Sequence, residues 1–225
     1  MPDFRKILSI DTAMFGCSVG LYDVAEQRCV TEQRQMPRGQ AEVLVPMVQA
    51  VLYKAQSGFD VIDLIVVTVG PGAFTGLRLG MAAAQGFGIA LEKPVVGLTT
   101  LDVLARQFFK TRKLEEGQRL CVLIETKRQD FYCGFYNRDG RADGLPQALD
   151  ADEIKAQPGH VVYIGDALER FGEGEAGFEL PDPCLMATMG LEKFEREGAS
   201  DIAPLYLRGA DVSKSKKQQR TILEN

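Results

Sequence analysis

Hydrophobic and polar positions alternate along this chain with periods that change from element to element. "KILSIDT" near the N-terminus predicts a short buried strand, and "CSVGLYD" alternates well enough for a strand with one wet face. "RCVTEQRQ", Arg28 to Gln35, predicts a third strand antiparallel to the second. Leu44, Val48, Val51, Leu52 and Ala55 then recur at three- and four-residue steps, the spacing of one helix face, with Pro46 as a start or a kink. "DLIVVTVG" is β-branched without alternation, as in a strand covered on both faces. "PGAFTG" interrupts it, and Leu77, Met81, Ala84, Phe87 and Leu91 mark a second helix. "KPVVGL" reads as a strand and "TLDVLARQFFK" as a helix capped by Thr99 or Thr100. The predicted order is βββαβαβα.

The polar stretch "TRKLEEGQR" opens a second half. Without a gap, "IDTAMFGCSVGLYD" from Ile10 lies over "IETKRQDFYCGFYN" from Ile124, so that Asp11 meets Glu125, Thr12 meets Thr126 and Gly20 meets Gly134. Both read strand, turn, strand, which is the mark of a duplicated unit. "HVVYIGD" then predicts a strand, "ALERFG" a short helix, "EGEAGFELPDP" a loop, "ATMGLEKFEREG" a helix closed by Gly198, and "IAPLYLRGAD" an extended segment. The expected division is a first lobe over 1–109, a second over 110–212 and a basic tail over 213–225.

Two duplicated hairpins raise the question of phosphate binding. A hairpin that holds phosphates needs glycine directly after its acid, because backbone N–H groups must approach the oxygens. Here Asp11 is followed by Thr12 and Ala13, and Glu125 by Thr126 and Lys127. Asp11, Thr12 and Glu125 are therefore candidates only for a degenerate nucleotide site. The loop before the second helix supplies another candidate, an anion site formed by Gly72, Thr75, Gly76 and Arg78 at a helix start, with Thr75 as its cap. It is neither a P-loop nor GxGxxG. The helix itself carries Gly80, Ala82, Ala83, Ala84, Gly86, Gly88 and Ala90. Each glycine costs a helix about 1 kcal/mol relative to alanine, so close approach of a sheet or of another chain's helix is expected.

Composition narrows the chemistry. The 225 residues carry a net charge of -5, which argues against a protein whose main work is gripping nucleic acid. No apolar run approaches the roughly 20 residues of a membrane span, and none resembles a signal peptide, so the expected location is the cytoplasm. The five cysteines include no CxxC pair and are expected as reduced thiols. The single histidine, His160, cannot supply HExxH, and no serine sits in GxSxG. No catalytic residue and no metal ligand is assigned.

"ILSIDTA", "VGPGAFTGLRLGMAAAQGFGIALEKPVVGLTTLDVLA" and "APLYLRGAD" closely resemble the bacterial TsaB family. The resemblance implies an α/β, actin-like, ribonuclease-H-like fold of two related lobes, each a mixed sheet with flanking helices. It implies a non-catalytic scaffold of the machinery that places threonylcarbamoyl on N6 of the adenosine beside the anticodon. Its partners would be the catalytic subunit TsaD and the ATPase TsaE, with a homodimer in the absence of TsaD and tRNA met only indirectly. No cofactor is expected on the chain alone, and ATP with Mg2+ only in the complex. The family pairs through first-lobe helices, which map to Glu42, Leu44, Val48, Leu77, Gly80, Ala83, Ala84 and Phe87, and a bulky residue at Ala83 or Ala84 is expected to block pairing without unfolding. Where the family often has His-Ser-Glu, this chain has Gln40, Ala41 and Glu42. The runner-up is an actin-fold ATPase or small-molecule kinase, and a third reading is direct tRNA binding by Lys214 to Asn225.

Overall fold

The structure, a computed structural model, describes residues 4–199 and 202–208. The expected tail over 213–225 and its proposed RNA contact lie outside them. Three antiparallel strands, β1 (Lys6–Asp11), β2 (Gly16–Asp23) and β3 (Arg28–Gln35), open the chain. Helix α1 (Gln40–Lys54), β4 (Leu64–Gly70), α2 (Phe74–Leu91), β5 (Val95–Thr99) and α3 (Thr100–Thr111) follow in the predicted order. Pro46 lies inside α1. The hydroxyl of Thr99 accepts from the Asp102 N–H and caps α3.

The second half contains β6 (Gln118–Glu125), β7 (Asp130–Tyr136), β8 (Gln147–Asp150), α4 (Ala151–Lys155), β9 (His160–Gly165), α5 (Leu168–Phe171) and α6 (Pro183–Glu197). The pattern did not predict β8 or α4, four and five residues long, which are too short for a period to show. The first sheet has the order β3-β2-β1-β4-β5 and the second β8-β7-β6-β9. In each, a hairpin is followed by a parallel strand beside its first member. This is the two-lobed, actin-like α/β arrangement, built twice.

The ungapped match between the hairpins holds only up to the turns. In the first, Asp11 pairs with Ser18, whereas in the second Glu125 pairs with Phe131. The second turn is therefore one residue shorter, and Gly20 corresponds to Cys133 rather than to Gly134. A one-residue slip exchanges the two faces of a strand, so the letters beyond the turn match by coincidence.

The layers explain the apolar runs. Leu8, Ile10, Ile65 and Val67 pack under α1 and α2, while Ile7, Leu64 and Val66 face α6. Strands β1 and β4 are thus covered on both sides. Leu101, Leu104 and Phe108 of α3 pack on Leu120, Val122 and Ile124, and Cys121, Leu123 and Phe131 form the far core with Phe171.

Two helices, α3 and α6, cross the division expected at 109/110, which otherwise separates the two sheets. Helix α3 lies between the lobes, and α6 returns to the first sheet instead of completing the second. The segment before α6 is anchored there. The Ser9 hydroxyl donates to the Pro183 carbonyl at 2.6 Å, and the Gln33 amide donates to Pro181 O at 3.1 Å. Gly20 leaves the room that Pro183 occupies. A disulfide joins Cys29 of β3 to Cys184 of α6, which corrects the expectation that all five cysteines are thiols. A separation of 155 residues hides such a pair from spacing arguments, and only the return of α6 brings them together. Cys17, Cys121 and Cys133 are free and buried, as small apolar groups often are.

Candidate functional site

Helices α1 and α2 both begin where strands of the first sheet end, and the turn after β6 closes in from the other lobe. Between them lies a cleft of about 1220 Å³, lined by Arg38–Glu42, Gly72–Gly76, Arg78 and Glu125–Arg128 among others. The caps of both helices, Gly39 and Ala73, make no side-chain bond, so Thr75 is not the cap expected of it. The first N–H groups of both helices therefore lack side-chain cap partners.

The candidate nucleotide residues of the first hairpin do not reach this cleft. Asp11 and Thr12 are buried. The Thr12 hydroxyl donates to Gly76 O at 2.6 Å, and the Thr12 carbonyl fills the space that a side chain at Gly76 would need. The Ala13 carbonyl does the same at Gly72 and accepts from the Ala73 N–H at 2.7 Å. The glycines of "PGAFTG" thus seat the loop against the hairpin turn, which gives Gly72 and Gly76 a packing reason independent of any anion.

Asp11 accepts from the Thr68 hydroxyl at 2.6 Å and from the Ala13 N–H at 3.2 Å, but its second oxygen is buried without a partner. Burial pushes its pKa up to about 6, against the lowering effect of both bonds. The folded state therefore holds this proton up to a higher pH than the unfolded chain does. The group's contribution is most favourable below the unfolded value of 3.8 and is lost as pH rises toward 6. Asp11→Asn keeps the acceptor toward Thr68 and removes the charge. Relative to the parent, its stability should rise by about 2 kcal/mol between pH 4 and pH 8. Urea unfolding of both proteins across that range checks this, and parallel pH profiles would contradict it.

Glu125 lines the cleft but is occupied. Arg170 of α5 donates to its two oxygens at 2.7 and 2.9 Å, and the Lys127 N–H donates at 2.5 Å. Burial raises the Glu125 pKa, and the Arg170 and backbone bonds outweigh this and hold it below the usual value. Arg170 also lies over the Phe131 ring at 3.6 Å and donates to Asp130 O. It fastens the turn between β6 and β7. Asp166 accepts from the Glu125 N–H at 2.8 Å, and its second oxygen is buried without a partner. Burial pushes its carboxyl up to about 7.

The anion candidate Arg78 lines the cleft, together with Lys127, Phe15 and Tyr206, which are not among the sequence candidates. Lys127 lies 4.0 Å from the Phe15 ring, linking the turns of the two hairpins. Arg78 lies 3.8 Å from the Phe74 ring and donates to the Tyr206 hydroxyl at 3.1 Å. Residues 202–208 form a strap across the lobes. The Leu205 N–H donates to Val69 O at 2.7 Å, and Arg208 pairs with Asp130. His160 begins β9 and is exposed.

The outer face of α1 and α2 is a second feature. Five of the eight expected interface residues, Leu44, Val48, Leu77, Gly80 and Ala84, are buried in the chain's own core and unavailable to a partner. Ala83 and Phe87 are half-buried, with Phe87 stacked on Phe59 at 5.6 Å. Glu42 is exposed at the cleft rim. A helical period identifies an apolar face, but the larger one belongs to the sheet beneath. The face turned outward carries Val45, Tyr53 and Ile89, exposed by 45, 84 and 81%. Pro46, Gln49, Ala82, Gln85 and Gly86 lie among them. Gly80 and Gly88 are explained within the chain, since side chains there would strike Thr12 and Val95. Gly86 has nothing within 4 Å of where its Cβ would stand.

A model of the family described as TsaD, tRNA N6-adenosine threonylcarbamoyltransferase, matches residues 34–195. The chain is similar to the tRNA threonylcarbamoyladenosine biosynthesis protein TsaB of Escherichia coli, with 31% identity over 60% of this chain and 56% of that one. It is also similar to TsaB of Haemophilus influenzae, with 28% identity over 90% and 93% of the two chains. The solved structure of YeaZ from Pseudomonas aeruginosa superposes with a TM-score of 0.76 at 25% identity, covering 90% of this chain and all of that one. This chain belongs to the TsaB family, within the wider family of TsaD-like proteins.

Proposed function

We propose that this chain is a non-catalytic subunit of the machinery that makes threonylcarbamoyladenosine in tRNA, and that it binds and activates a TsaD-type catalytic subunit together with TsaE. Family membership supports involvement in this modification. The observation that carries the scaffold role is the exposed apolar stripe on α1 and α2, with Gly86 facing outward and no intrachain contact to explain it. A helix accepts the cost of such a glycine where another backbone approaches closely. The same face would serve a homodimer when the partner is absent. The work is assigned to the cytoplasm, where tRNA is modified, and tRNA is met through the partner. Mg2+ with ATP enters only in the assembled complex.

The second reading, an actin-fold ATPase or small-molecule kinase, is favoured by Asp11 and Asp166, two buried carboxylates that each have an unpartnered oxygen. Reconstituted threonylcarbamoyl transfer to tRNA separates the two. Product should form with this chain, TsaD and TsaE supplied with the activated intermediate. It should not form from this chain alone, nor from TsaD and TsaE without it. Product from this chain alone would overturn the proposal, as would full activity in its absence.

A further inference from the structure

Between the end of α5 at Phe171 and the start of α6 at Pro183, the chain crosses from the second lobe to the first. This crossing is wedged against α3 and the first hairpin. Phe178 packs on Phe108 of α3, with ring centroids 5.7 Å apart, in the cluster that also holds Met14 of the hairpin turn. Leu180 covers Gly16, where a side chain would strike it, and Pro183 covers Gly20 in the same way. The Asp182 N–H donates to the Gln107 side chain at 3.1 Å. The disulfide between Cys29 and Cys184 closes the outer end of the wedge and ties α6 to β3, the edge strand of its sheet. A covalent bond thus fastens the segment that carries Leu180 onto the hairpin turn.

The cysteines fall into two classes. Cys17, Cys121 and Cys133 have no exposed surface, and burial pushes the Cys17 thiol up to about 12. Cys29 and Cys184 are half-buried. Thiol–disulfide exchange needs a sulfur that solvent reaches, so this pair is where a small disulfide or dithiol can act. Reduction leaves α6 attached. The Ser9–Pro183 and Gln33–Pro181 bonds persist, and the Asp182 carboxylate still accepts from the Cys184 and Leu185 N–H groups at 2.8 and 3.3 Å. We propose that Cys29 and Cys184 form a reversible redox switch, which locks the lobe crossing and the first hairpin turn when oxidised and loosens both when reduced. One cysteine thiolate attacks a low-molecular-weight disulfide, forming a mixed disulfide and expelling one small thiolate. The other cysteine thiolate then attacks the protein sulfur of that bond and expels the second. The pair loses two electrons and its two protons, and the small disulfide becomes two thiols. A lasting disulfide is rare in a compartment that keeps thiols reduced, and a transient one there is usually catalytic or redox-sensing. Only this cytoplasmic setting rests on the proposed function. The chemistry of the pair does not.

The full chain, equilibrated in native buffer with glutathione disulfide or with dithiothreitol, tests this. Thiol titration of the folded protein should find no reactive thiol in the oxidised form and a reactive pair in the reduced form, which peptide mapping assigns to Cys29 and Cys184. Cys17, Cys121 and Cys133 should react only in denaturant. Returning the reduced protein to glutathione disulfide should restore the bond. Hydrogen exchange reads the conformational effect. The Gly16, Cys184 and Leu185 amides should exchange about tenfold faster or more in the reduced form, a larger increase than in β7 of the second lobe. Cys29→Ser combined with Cys184→Ser should show the faster exchange in both buffers, and circular dichroism establishes that it and the reduced parent are folded. A bond that glutathione disulfide does not form, or that dithiothreitol opens only in denaturant, would overturn the proposal. So would unfolding on reduction, an equal rise in exchange in both lobes, or a redox response that persists in the double variant.

Discussion

Ile89→Arg is expected to abolish pairing with a TsaD-type partner and with a second copy of this chain, with little effect on folding. Ile89 is 81% exposed, so arginine there meets water in the isolated chain. Surface substitutions of this kind change stability by about 0.5 kcal/mol or less. In an apolar interface the same guanidinium is buried without a partner, and the expected loss of affinity is about 100-fold or more. Gly86→Trp, in the second-last turn of α2, should act in the same way by holding the helices apart. Co-purification with TsaD and sedimentation of the chain alone measure the two losses, and melting curves report the fold. Wild-type pairing in Ile89→Arg would place the interface elsewhere. The contrast is Ala84→Phe. Ala84 lies on the buried face of α2, so a ring there overpacks the core and should unfold the chain rather than leave it folded and unpaired, contrary to what the helix sequence suggested.

Gly76→Ala should destabilise the protein by about 3 kcal/mol or more, the upper range for overpacking, because the added methyl meets backbone. The atom in its way is the Thr12 carbonyl, whose residue is also fastened to the Gly76 carbonyl by its hydroxyl. A flexible side chain could turn aside, but a strand end between two other strands cannot. For a chain of this length the melting temperature should fall by roughly 6–12 °C. Thr75→Ala, one residue earlier and exposed, should cost little, since its hydroxyl does not cap α2. Equal stability of the Gly76→Ala and parent proteins would mean that this glycine is kept for a ligand and not for the hairpin. The two substitutions thus distinguish a packing glycine from an anion-binding one.

Glycines in one helix consequently have three different explanations. Gly76 and Gly80 face Thr12, Gly88 faces Val95 and the Lys93 carbonyl, and Gly86 faces outward. Composition flags all four alike as a cost to the helix, and only the neighbours distinguish them.

Much of this protein is legible from local pattern. The order of elements in the first half, the helix faces on Leu44–Val48–Val51 and Leu77–Met81–Ala84, a cap at Thr99 or Thr100 and the repeated strand-turn-strand unit follow from periods and end signals, which act within a few residues. The absence of glycine after Asp11 and Glu125 is likewise read from neighbouring letters. Other features depended on where distant segments come to rest. The return of α6 to the first sheet brings Cys184 to Cys29 and Pro183 to Gly20, and nothing local to either segment announces it. The one-residue slip between the hairpins depends on turn length, which letter matching across strands cannot see. The cleft joins Arg78 to Lys127 across the lobes. A helical period shows that an apolar face exists and cannot tell the face that packs on its own sheet from the face left for a partner. Sequence determined the elements because their causes are short-range. Tertiary structure decided the cleft, the disulfide and the outward face because each is a meeting of residues far apart in the chain.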